Sequence, residues 1–217
     1  MSVVHDSVVA HQFDDVEQQH QTYSFGMWIF LVTEIMFFGG LFAAYTVYRW
    51  SFPEAFAAGS EHLDIVLATI NTAALLTSSF TMALAVRAIQ LNKPKQMIGF
   101  LLTTIGFAIV FLVIKGIEYY AKFQTHLVPG HNFVWHGAAD PRHVEMFYGL
   151  YFTMTALHGL HVLIGIGVIA TIAFLGWKKR FSSDFYAPVE MTGLYWHLVD
   201  IIWVFLFPLL YLVSRHG

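Results

Sequence analysis

Five long apolar stretches run from near residue 25 to the C-terminus, and almost every Lys, Arg, Asp and Glu lies between them. That segmentation leaves few folds open. Apolar runs above ~18 residues without alternation do not read as strands, and as helices they can cross ~30 Å of hydrocarbon at ~1.5 Å per residue. Composition agrees, with 57% hydrophobic and only 12% charged residues, against roughly 25% charged in ordinary soluble domains. The chain reads as an all-α integral membrane protein with five transmembrane helices. They cover about residues 25–49, 64–90, 97–122, 146–177 and 191–213. The fourth is longer than a bilayer requires, so it should tilt or project.

Residues 1–24 are polar and acidic, with neither a basic start nor an apolar core, so they read as a cytoplasmic tail rather than a cleavable signal. His5, His11 and His20 are the tail's candidate metal ligands, weighed against a plain solvated segment. Residues 25–217 form one membrane domain without internal repeat. The chain has no Cys, which removes disulfides, thiolate ligands and the haem-attachment motif. Arg87, at the end of the second stretch, groups with Lys93 and Lys95 just beyond it, and Lys178, Lys179 and Arg180 follow the fourth. The positive-inside rule places both basic loops in the cytoplasm, with the N-terminus cytoplasmic and the C-terminus periplasmic. Five prolines fall in loops or at helix starts, and Pro208 should kink the last helix. The 126–143 loop, rich in His and aromatics, reads as an ordered external surface.

Four ionisable clusters fall inside the apolar stretches: Glu34, Lys115 with Glu118, His158 with His161, and His197 with Asp200. Each is expensive at the bilayer centre, roughly 2.5–3.5 kcal/mol for a charge on insertion scales. His158 and His161 are three residues apart and share a helix face. His161 and Glu34 reach similar depth, so a contact between the first and fourth helices would satisfy both; the functional alternatives are proton handling, metal or haem ligation. His197 and Asp200 read as a buried ion pair or as a contact for a lipid headgroup or partner subunit. Lys115 and Glu118 read as a structural pair whose lysine can snorkel. Gly39, Gly40, Ala43 and Ala44, with Gly159, Gly165 and Gly167, mark expected close helix approaches. Asn71, Thr72, Thr77, Ser78, Ser79 and Thr81 form a polar ridge suited to bonds between helices.

Three segments, TEIMFFGGLFAAY, TALHGLHVLIG and YWHLVDIIWVFLFPLLYL, resemble subunit III of the haem–copper terminal oxidases, and NTAALLTSS and KGIEYY fit in order. The chain resembles the short five-helix form, lacking the two leading helices that make a lipid-filled cleft in longer members. The resemblance implies a non-redox subunit of a proton-pumping respiratory oxidase in a bacterial cytoplasmic membrane, with cytochrome c as the preferred donor. It implies no cofactor in this chain, haem and copper in partner subunits, and bound phospholipid. The expected partners are oxidase subunits I and II with a small subunit IV, and no nucleic acid. Carried over onto these positions, Glu34, His158, His161, Glu118, His197 and Asp200 are the proton-handling or structural polar groups. Lys178, Lys179, Arg180 and Trp203 are the expected lipid contacts, with no catalytic or metal residue. A quinol oxidase subunit III remains an alternative. So do an independent proton or solute transporter, though the repeats and broken helices common in transporters are not seen, and a haem-binding cytochrome b-type subunit.

Overall fold

Aspartate and proline place the helix starts. Asp15, Asp64 and Asp140 each accept a backbone N–H of the first turn that follows: Gln18 at 2.6 Å, Val66 at 2.9 Å and Arg142 at 2.9 Å. Pro53, Pro94 and Pro141 occupy first helical positions, where no N–H is needed. The computed structural model describes residue 13 and residues 15–183 and 185–213, the side chains at 16 and 20 excepted. Its helices are α1 Val16–Ser51, α2 Pro53–Glu61, α3 Ile65–Gln90, α4 Pro94–Gln124, α5 Pro141–Trp177 and α6 Ala187–Tyr211. All except α2 are long and apolar enough to cross a membrane. The candidate ligands His5 and His11, and the His20 side chain, lie outside what is described.

Three helix ends use a left-handed residue that is not glycine. Asn92, His126 and Lys179 have φ of 55°, 55° and 56° just beyond α3, α4 and α5. The next backbone N–H of each bonds back into the last turn: Lys93 to Ala88 O at 2.9 Å, Leu127 to Lys122 O at 3.0 Å, and Arg180 to Leu175 O at 3.1 Å.

Helices α3 to α6 form a ring in which each packs on the next and α6 returns to α3. Among the described residues neither diagonal brings backbones close together, though long side chains of α4 and α6 meet across the centre. The short connection between α3 and α4 makes them the most extensively packed pair. Among the described residues α1 stands outside this ring and packs on α5, α6 and α2 alone. It contributes one seam, Leu31, Phe38 and Tyr45, at heptad spacing. Its other faces expose large apolar groups including Trp28, Met36 and Trp50.

The structure differs from the sequence expectation in three places. α1 begins at Val16, capped by Asp15, so residues 16–24 of the expected tail are helical. A helix, α2, occupies what reads as a loop; it buries Phe56 against Tyr45 and Phe147 at ring separations of 5.3 and 5.4 Å. Its Gly59 is needed there, because a Cβ would lie 2.4 Å from the Phe147 ring. Close approach by small residues is also rarer than expected. Gly39, Gly40, Gly159 and Gly167 have open space where a Cβ would be, whereas a Cβ at Gly165 would meet Trp196 at 2.7 Å.

Candidate functional site

The polar groups of the spans resolve into three arrangements at different depths. The first joins α1 to α5. Glu34 Oε2 lies 3.0 Å from His161 Nε2, with the two side chains 19% and 16% exposed. His161 Nδ1 is 2.8 Å from the Leu157 carbonyl. A carbonyl only accepts, so Nδ1 carries a proton. Nε2 then either accepts from a protonated Glu34 or, as the second N–H of an imidazolium, donates to a carboxylate. In both forms the pair is neutral overall and the proton lies between them. Phe38 meets the imidazole edge-on at 5.3 Å. The Tyr195 hydroxyl of α6 donates to the His161 carbonyl at 2.9 Å.

The second arrangement joins α4, α5 and α6. Lys115 Nζ donates to Glu118 Oε2 at 2.9 Å, Tyr211 Oη at 2.8 Å and Tyr151 Oη at 3.1 Å. Both tyrosine hydroxyls donate to Glu118 Oε1, at 2.9 and 2.7 Å. Every ammonium proton thus has an acceptor, and the ammonium is ringed by the faces of Tyr119, Tyr151, Trp203 and Tyr211 at 5.0–5.5 Å. The expected snorkelling of Lys115 does not occur; the lysine points inward and is 6% exposed. Tyr151 and Tyr211 were not legible as site residues, since aromatic residues are common throughout the chain. A buried ion pair needs further hydrogen bonds to stand in hydrocarbon, and that requirement is the signal that could have found them.

The third arrangement joins α3 to α6. Ser79 Oγ is 2.7 Å from His197 Nδ1. Asp200 is buried beside Ser79, but neither carboxylate oxygen completes a hydrogen bond of ordinary geometry. Among the described residues no ion pair forms between His197 and Asp200, which corrects that expectation: Ser79 of the facing helix takes the imidazole instead. The polar ridge of α3 supplies two further ties. Trp196 Nε1 donates to Ser78 Oγ at 3.1 Å and Trp203 Nε1 to Thr72 Oγ1 at 3.0 Å. Thr81 bonds Thr104 of α4 at 2.8 Å, whereas Thr77 turns back to its own helix.

Two expected site residues sit elsewhere. His158 does not share the environment of His161. Three residues on, the helix has turned by 60°, so His161 meets α1 while His158 enters the core between Phe111 and Trp203 at 5.4 and 5.1 Å. Trp203 is fully buried in that core, not at a lipid surface. Lys178, Lys179 and Arg180 are exposed as expected, with Lys178 over the Phe174 ring at 4.5 Å. Among the described residues no three of His, Asp and Glu gather as a metal centre. His161 and His197 are committed to Glu34 and Ser79.

The family model described as cytochrome c oxidase subunit III matches residues 10–215. A protein of Thermostichus vulcanus named cytochrome c oxidase subunit 3 is 32% identical over 194 residues, covering 88% of this chain and 87% of the relative. A Synechocystis protein of the same name is 32% identical over 193 residues, covering 87% of this chain and 75% of the relative. A protein of Staphylococcus saprophyticus named probable quinol oxidase subunit 3 is 26% identical over 205 residues, covering 94% of this chain and 96% of the relative.

Proposed function

Because this chain belongs to the cytochrome c oxidase subunit III family, within the haem–copper oxidases, we propose that it is a non-redox subunit of a proton-pumping oxidase that passes electrons from cytochrome c to oxygen. In this reading it lies in a bacterial cytoplasmic membrane with the basic loops inside, and binds subunits I and II and a small subunit IV. Haem and copper belong to those partners. This chain's part is to support subunit I, hold phospholipid through Lys178, Lys179 and Arg180, and keep a proton-bearing pair at the membrane midplane.

The observation that carries the reading is the Glu34–His161 contact at 3.0 Å. It occurs within the motifs on which the family resemblance rests. It also places a titratable pair on the thinly packed α1 side, where a partner or lipid can approach. A pair that holds one proton in either form shapes the field and water access of a neighbouring subunit without carrying electrons.

Purification of the complex through a tag on this chain, with optical spectra and subunit identification, tests the reading. Oxygen uptake driven by reduced cytochrome c, with haem and copper assigned to other subunits, is the expected result. Uptake driven by quinol alone would favour the second reading, a quinol oxidase subunit III, which the Staphylococcus relative's name supports. A haem signal in this chain itself would overturn the non-redox role.

A further inference from the structure

A pocket of about 420 Å³ opens at the end of the bundle that carries α2, between α2, the end of α4 and the following loop. We propose that it binds a phosphate-class oxyanion, either the headgroup of a phospholipid in the adjoining leaflet or free phosphate.

The chemistry of the lining leads there. His62, Lys122, Trp135 and His136 contribute its hydrogen-bonding side chains besides Thr125, and no described lining residue is Asp or Glu. Trp135 Nε1–H is buried without a hydrogen-bond partner. Its indole meets His62 edge-on at 4.9 Å. Gly137 folds directly over the ring, where a Cβ would lie 2.8 Å from Nε1. His62 Nδ1 is 3.0 Å from the Ala58 carbonyl, so it carries a proton there and leaves Nε2 for another partner.

Lys122 donates to the His62 carbonyl. Its nearest acidic neighbours, Glu118 and Asp64, are engaged elsewhere: Glu118 by Lys115 and two tyrosines, Asp64 by the α3 N-terminus. His136 is exposed and makes no hydrogen bond or ion pair with any described residue. The Lys122 ammonium and the orphan Trp135 indole N–H suit an acceptor ligand, while His62 Nε2 joins them by accepting from a protonated phosphate oxygen or, in the imidazolium form, by donating to an ionised one. A metal cation would meet the ammonium with only two imidazoles to hold it.

The loop is built to keep this shape. Val134 N–H donates to the His126 carbonyl at 3.0 Å, and Gly130 N–H to Glu145 Oε1 at 2.9 Å. The site lies opposite the Lys178–Arg180 cluster along α5, so it is separate from the lipid contacts already described.

The test uses the complex purified through this chain, as wild type and with Trp135→Phe or His136→Gln. The first variant keeps an aromatic ring beside His62. The second changes an exposed side chain that makes no hydrogen bond or ion pair with any described residue, so it should leave the fold intact. In detergent, inorganic phosphate is titrated against indole fluorescence; in vesicles of phosphatidylglycerol, tightly held phospholipid is counted by native mass spectrometry. A free-anion site gives a saturable fluorescence change, lost in Trp135→Phe and shifted to about tenfold higher phosphate in His136→Gln. A headgroup site gives one more retained phospholipid per complex in wild type than in either variant. If wild type neither responds to phosphate nor retains more lipid than the variants, the proposal fails.

Discussion

His161 Nε2 on α5 and Glu34 Oε2 on α1 lie 3.0 Å apart across an interface that has few other polar ties. Tyr45 ties α1 to α6 instead, donating to the Leu209 carbonyl at 2.5 Å. Substituting Glu34 therefore tests both the seating of α1 and any role in proton handling. Glu34→Gln can still donate an amide N–H to Nε2, so it should preserve assembly, while Glu34→Ala leaves a part-buried imidazole unsatisfied and costs about 1–3 kcal/mol. Thermal denaturation of the complex checks the difference.

The same pair gives the functional prediction. Glu34→Ala should leave haem and copper spectra intact and initial oxygen uptake close to wild type, because no redox group is removed. On the proposed function, turnover should then decay faster, because the pair would no longer shape field and water access in a neighbouring subunit. Uptake is followed to exhaustion at several pH values. Immediate loss of haem would point to a cofactor role, and unchanged durability everywhere would leave only an assembly role.

Lys115→Met should be among the most damaging single changes. It strands Glu118 in a site closed by Tyr151 and Tyr211, at a cost of about 3–5 kcal/mol. The double change Lys115→Met with Glu118→Gln should recover much of that loss. Recovery is read from the yield and melting temperature of the complex; additive losses would show that the two residues do not act as a pair.

Gly165→Ala should destabilise by about 1–3 kcal/mol through overpacking against Trp196. Gly159→Ala and Gly167→Ala on the same helix meet open space within the chain and should be far milder. Comparable melting temperatures for all three would contradict the packing described.

Lipid retention should separate Trp203 from the basic cluster. Replacing Lys178, Lys179 and Arg180 together by Gln should release anionic phospholipid, at about 1 kcal/mol for each charge near the surface. Trp203→Phe removes the bond to Thr72 and should lower stability while leaving lipid content unchanged. Phosphorus analysis of the purified complex measures the first effect and calorimetry the second.

The five spans were legible because hydrocarbon enforces them locally. A run of apolar residues can satisfy its backbone only within itself, so the charges at 87–95 and 178–180 had to fall at helix ends or in the connections between helices. Matched depth from opposite flanks likewise gave the meeting of Glu34 with His161. Pro53 hid α2, because a proline reads as a loop signal until its place at a first helical position is known.

The sequence by itself determined that this chain is a five-span bundle with a few polar groups it must satisfy. It also supplied their depths, since depth follows from counting residues along a helix. Which way each group faces was decided only by tertiary packing. A 60° turn of α5 sends His158 between Phe111 and Trp203 but brings His161 to α1. The register of α3 against α6 gives His197 to Ser79 rather than to Asp200. Three helices had to converge before Tyr151 and Tyr211 could close around Lys115 and Glu118. Such partners are set by angle and register between helices, and a linear pattern records neither.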